Sequence, residues 1–78
     1  MTIGKIKATQ TYANLEEGQL FSGMDITAQY LNPKGKVAQV NFHYSRYTND
    51  LRGQVERVLS YLASGKPMPE EYTNIVTE

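Results

Sequence analysis

From Asp25 to His43 the chain alternates apolar and polar residues on either side of a turn. Ile26, Ala28 and Tyr30 are separated by Thr27 and Gln29, and Ala38, Val40 and Phe42 by Gln39 and Asn41. A period of two puts each apolar set on one face of a half-buried strand. Between them, Asn32-Pro33-Lys34-Gly35 has the residue order of a type I turn, with a glycine available for the left-handed position of a hairpin loop. Counting outward from a closing pair of Asn32 and Lys36 opposes Tyr30–Ala38, Ala28–Val40 and Ile26–Phe42 on one face. Gln29–Gln39, Thr27–Asn41 and Asp25–His43 meet on the other. A slip of one residue would set Ile26 against Asn41 and destroy both faces.

Earlier in the chain, Glu16-Glu17-Gly18 predicts another hairpin loop, the first in sequence order, closed by Leu15 and Gln19, which opposes Ala8 to Ile26 and Ile6 to Ala28 and adds Lys5, Lys7 and Thr9 to the polar face. A capping-box reading of Asn14-Leu15-Glu16-Glu17 competes with it, but Gly18 would weaken so short a helix by about 1 kcal/mol. Ser22-Gly23 suggests a β-bulge inside the second strand. Beyond the third strand, Leu51, Val55, Val58, Leu59 and Leu62 recur at helical spacing, with Thr48 or Asn49 as N-cap and Asp50 in the first turn. Ser64-Gly65-Lys66-Pro67 ends that helix. An amphipathic helix of about four turns covers about 24 Å and can lie across the apolar face of the sheet.

The expected architecture is therefore α+β: a three-stranded antiparallel meander with one helix on one face, in the order βββα, as a single small domain over residues 1–78. Its core is Ile6, Ala8, Ile26, Ala28, Tyr30, Ala38, Val40 and Phe42 under Leu51, Val55, Val58, Leu59 and Leu62. Residues 66–78 read two ways. Pro69-Glu70-Glu71 favours a helical turn, whereas Tyr72 to Thr77 is rich in β-formers and could add an edge strand. In strand-strand-helix order alone the layout resembles the sheet-plus-helix domains of single-stranded-DNA-binding transcription coactivators; no diagnostic motif accompanies the likeness.

Composition narrows the functions available. Seventy-eight residues leave no room for a large cofactor fold, and the absence of cysteine removes disulfides, thiolate metal sites and thiol nucleophiles. Eight basic and eight acidic residues balance to zero. The first residues lack the charged, apolar and small-residue succession of a secretion signal, so a cytoplasmic location is expected. Phosphate-loop, dinucleotide, zinc-protease, calcium-loop and serine-hydrolase motifs are missing, and no cofactor or metal site is expected.

His43 opposite Asp25 is the sharpest chemical pairing. A carboxylate orienting an imidazole base, with Arg46 or Lys7 nearby, is what a small metal-independent ribonuclease would use; an exposed cross-strand ion pair is the simpler account and the one adopted. Charge is uneven along the chain, with net +3 over residues 34–57. Lys5, Lys7, Lys34, Lys36, Arg46 and Arg52 are the candidates for contact with nucleic acid, although the open face lacks the aromatics of a base-stacking platform. Six of the eight aromatic residues are tyrosines. Register and helical phase assign Tyr30 and Tyr44 to the core or its rim and leave Tyr12, Tyr47, Tyr61 and Tyr72 for external roles. A thin core and bare sheet edges favour association with another chain, through Arg46, Tyr47, Arg52, Arg57 and Tyr61, or as a homodimer through an edge strand. The functional expectation is a non-enzymatic module that docks on another protein as an inhibitor, adaptor or regulator. By analogy of size and simplicity, such a module resembles the small inhibitors and regulators carried by phages and mobile elements. Nucleic-acid binding is the alternative, and ribonuclease activity a distant third.

Overall fold

A computed structural model describes residues 2–78. Four antiparallel strands, β1 (Ile3–Leu15), β2 (Gly18–Leu31), β3 (Val37–Tyr44) and β4 (Tyr72–Thr77), lie in sequence order in one sheet, with helix α1 (Leu51–Ser64) between β3 and β4. The class is α+β, and the expected three strands become four. The tail forms the edge strand, not a helix: its two acids occupy a turn in which the Tyr72 amide donates to the Pro69 carbonyl at 3.1 Å, and β4 then pairs with β3. Asn74, at φ 55°, sits in a bulge where β4 shifts register against β3. Asparagine tolerates this left-handed conformation better than most side chains.

The second hairpin has the expected register throughout, from Leu31↔Val37 to Met24↔Tyr44. Its loop is closed by the Asn32 amide on the Lys36 carbonyl at 2.9 Å, while Asn32 Oδ1 accepts from the amides of Lys34 and Lys36 at 3.0 Å each. The first hairpin differs near its turn. Leu15 pairs with Gly18, not Gln19, so the connection is the two residues Glu16 and Glu17. Ser22 then bulges out between the pairs Tyr12↔Phe21 and Thr11↔Gly23. A loop one residue shorter and a bulge one residue longer cancel, and the deeper pairs Ala8↔Ile26 and Ile6↔Ala28 stand as counted.

Asp50 is the N-cap of α1: its Oδ1 accepts from the Gly53 amide at 3.1 Å, whereas Thr48 accepts from the Asp50 amide at 2.9 Å and holds the preceding turn. Thr48 and Asn49 are thus outside the capping position. Gly65 closes the helix in the left-handed conformation. The helix covers one face of the sheet, where Ile26, Ala28, Val40, Phe42, Val55, Val58 and Leu59 are buried together with Ile3, Met24, Tyr44 and Tyr72. Leu62, expected in the core, is 42% exposed, because the buried stripe of the helix runs through Val55, Val58 and Leu59 and leaves Leu62 at its margin. Ile6, Ala8, Tyr30 and Leu51 are half-buried against the core rather than inside it, and Ala38 is half-buried as well.

Tyr72 reverses the expectation of an external tyrosine. Once β4 docks, its ring stacks on Tyr44 at 5.2 Å between centroids and meets Phe42 edge-on at 5.8 Å. Its hydroxyl donates to Gln54 Oε1 on α1. The strand that sequence left undecided therefore ties the helix to the sheet.

Candidate interaction surface

Only β1 and β2 continue past the Met24↔Tyr44 pair at the end of β3. Beyond it, Thr11–Leu15 and Gly18–Gly23 form a two-stranded arm that extends the sheet by about 17 Å, at about 3.4 Å per residue. The molecule measures 48 × 25 × 21 Å as a result. A ribbon of two strands has no second layer to bury its side chains, so apolar residues placed on it remain in water.

Several are placed there. On the helix side, Tyr12 and Phe21 meet edge-on at 5.8 Å between centroids, and Phe21 meets Tyr47 of the β3–α1 loop at 6.5 Å. Tyr47 is pinned by its hydroxyl, which donates to Asn49 Oδ1 at 2.6 Å, yet it is 57% exposed. The Tyr12 hydroxyl donates to Gln10 Oε1 at 2.7 Å. On the opposite side of the arm Leu20 is 60% exposed, near Leu15, which is also largely in solvent. The tip is Glu16-Glu17, and the chain from Ala8 to Pro33 contains no lysine or arginine.

The arm is joined to the sheet at Gly23, whose φ of 134° and buried position belong to the Ser22 bulge. The His43 ring lies over it. His43 Nδ1 is 2.9 Å from Asp25 Oδ1 and Nε2 is 3.2 Å from the Ser22 carbonyl oxygen. Both ring nitrogens are thereby engaged, and the one that a general base would offer to a substrate points at the backbone of the bulge. The cross-strand pair expected from the register is present, and its geometry is that of a brace for the arm.

The remaining interaction candidates are spread over the molecule. Arg46 is exposed in the loop beside Tyr47. Arg52 pairs with Glu56 along the helix at 3.5 Å. Arg57 is committed to the seam between α1 and β4, 5.7 Å above the Tyr72 ring and 3.9 Å from Glu71, with half-buried Tyr61 nearby. Tyr72, foremost, and a side-chain hydrogen bond that Arg57 donates to Tyr61 push the Arg57 guanidinium above its ordinary value. Burial pushes the Tyr72 phenol up, against the opposing pull of Arg57. Thus Tyr47 joins an aromatic cluster, while Arg52, Arg57 and Tyr61 do not converge with it. Sequence reasoning missed Phe21, Leu15 and Leu20; the clue was an apolar pair in strands too long to be covered by a helix of 14 residues.

The nucleic-acid candidates also separate. Lys5 and Lys7 border a shallow polar depression on the open face with Thr27, Gln29 and Gln39. Lys34 and Lys36 lie in the β2–β3 turn at one end of the sheet, and Arg46 in the loop at the other. Among the described residues no cluster of three or more metal-binding side chains occurs, and no helix is long and apolar enough to cross a membrane. Comparisons of the chain with protein-family models, with curated proteins and with solved structures found no match in any of the three.

Proposed function

We propose that this chain is a non-enzymatic docking module that binds another protein through the β1–β2 arm and the aromatic cluster at its base. The observation that carries the reading is the solvent exposure of Tyr12 and Phe21 on a projecting ribbon, in an edge-on series of contacts that Tyr47 of the β3–α1 loop extends. Tyrosine and phenylalanine bring large contact area at small entropic cost, which is why such residues anchor protein interfaces. The adjacent arm is acidic and without basic residues, which suits a protein partner and disfavours the phosphate backbone. An inhibitor, adaptor or regulator would act in this way, by occupying a surface on its target.

The test compares capture of a partner by the native chain, by the pair Phe21→Ala and Tyr47→Ala, and by Leu62→Ala as an exposed apolar control. Loss of the same captured protein in the arm variant alone supports the proposal. Equal capture by all three overturns it. Nucleic-acid binding, the second reading, draws on Lys5 and Lys7 beside the open-face depression. It requires an oligonucleotide affinity that falls steeply with salt and weakens in Lys5→Glu/Lys7→Glu.

A further inference from the structure

The two edges of the sheet differ in how well they resist pairing. β4 is six residues long and broken by the left-handed Asn74. Such interruptions make a poor template for another strand. β1 has 13 residues, and its irregularity falls near Gly4-Lys5; the bulge farther along belongs to β2. From Ala8 to Leu15 the edge is free of charge and proline, the two devices that most often protect an edge.

Charge is confined to its ends and has opposite sign at each. Lys5 and Lys7 stand at the start of β1, Glu16 and Glu17 just beyond its finish, and among the described residues none of the four forms an ion pair. A strand positive at one end and negative at the other is complementary to its own antiparallel copy. We propose that two copies of this chain associate β1 to β1, antiparallel, about a two-fold axis at Thr11, forming one continuous eight-stranded sheet.

Register follows from the sheet faces. A two-fold axis normal to the sheet keeps both helices on one side, which requires open-face residues to meet open-face residues. Centring on Thr11 sets Lys7 opposite Leu15 of the second copy and Thr9 opposite Ala13, brings Lys5 toward the Glu16-Glu17 turn of that copy, and repeats each on the other side of the axis. Gln10 faces Tyr12 of the second copy, and the two Tyr12 rings lie on a diagonal of about 7–8 Å, within reach of each other. The unpaired backbone groups of β1 acquire partners, and the aromatic clusters of the two arms come together on the helix side. This association stands independently of docking on a different protein.

Light scattering on the purified full chain over a concentration series at low salt reads the outcome. The mass is expected to rise from 8.8 kDa toward twice that value. Lys5→Glu/Lys7→Glu and Glu16→Lys/Glu17→Lys each make both ends alike, and each should weaken association by about tenfold or more. An equimolar mixture of the two variants restores it, since their ends are again complementary. Thr11→Cys, in a chain with no native cysteine, should form a linked dimer under mild oxidation more readily than Val37→Cys at the far end of the sheet. Circular dichroism confirms folding of each variant. A mass fixed at 8.8 kDa overturns the proposal. So does a dimer indifferent to both charge reversals, or cross-linking no faster at residue 11 than at 37. Phe21 and Tyr47 are untouched in these variants, so a failure here is distinct from a failure of partner docking.

Discussion

Replacing Gly23 by alanine tests the joint between arm and sheet, and Gly18→Ala supplies its control. Both glycines have φ of 134°, so the backbone cost of adding a side chain is shared and amounts to about 1–2 kcal/mol. At Gly18 a Cβ would meet nothing within 4 Å. At Gly23 it would collide with the Tyr44 carbonyl oxygen and stand 2.8 Å from His43 Nε2 and 2.9 Å from Cε1. Opening that space costs about 1–3 kcal/mol as overpacking, and displacing the imidazole from the Ser22 carbonyl adds about 1 kcal/mol. Gly23→Ala should therefore cost about 3–6 kcal/mol. A chain of this length has about 4–12 kcal/mol of stability in total. In urea unfolding followed by circular dichroism, with a slope near 1 kcal/mol per M, the Gly18 variant should lose about 1–2 M in midpoint and the Gly23 variant about 3 M or more. Equal shifts for the two would refute the role of Gly23 as a site of close approach.

Other outcomes follow from the same packing. Ile26→Ala should lose about 2–5 kcal/mol in urea unfolding, while Leu62→Ala should change stability by less than about 0.5 kcal/mol, reversing their equal standing in the sequence pattern. Asp50→Ala should cost about 1 kcal/mol through the lost helix cap, measured by thermal unfolding. Burial holds the Tyr72 phenol neutral in the fold, so the unfolded chain releases that proton first as pH rises. The resulting stability is present below about pH 10 and lost above it; Tyr72→Phe should flatten this part of an alkaline unfolding curve. For the ribonuclease alternative, cleavage of RNA that vanished in His43→Ala would assign that side chain to catalysis in place of bracing the arm.

The second hairpin and the helix were legible in the sequence because their signals are local. Asn32, Pro33 and Gly35 choose the loop, alternation then forces the register to Met24↔Tyr44, and Val55, Val58 and Leu59 mark the buried stripe. The deeper register of the first hairpin was also recoverable, since a shorter turn and the Ser22 bulge offset one another. Of the interaction site, Tyr47 was singled out, but Phe21 and Leu20 read like any other alternating strand residues.

Alternation by itself determined which side chains share a face, since strand geometry permits no other arrangement. Whether anything covers that face was decided by the tertiary structure. The helix is shorter than the two long strands, so equivalent positions are buried at Ile26 and left in water at Phe21. The tail was equally undetermined by its own residues: helix and strand preferences are close in so short a segment. The open edge of β3 and the space beneath Arg57 and Gln54 settled it, drawing Tyr72 into the core and leaving β1 with its free edge.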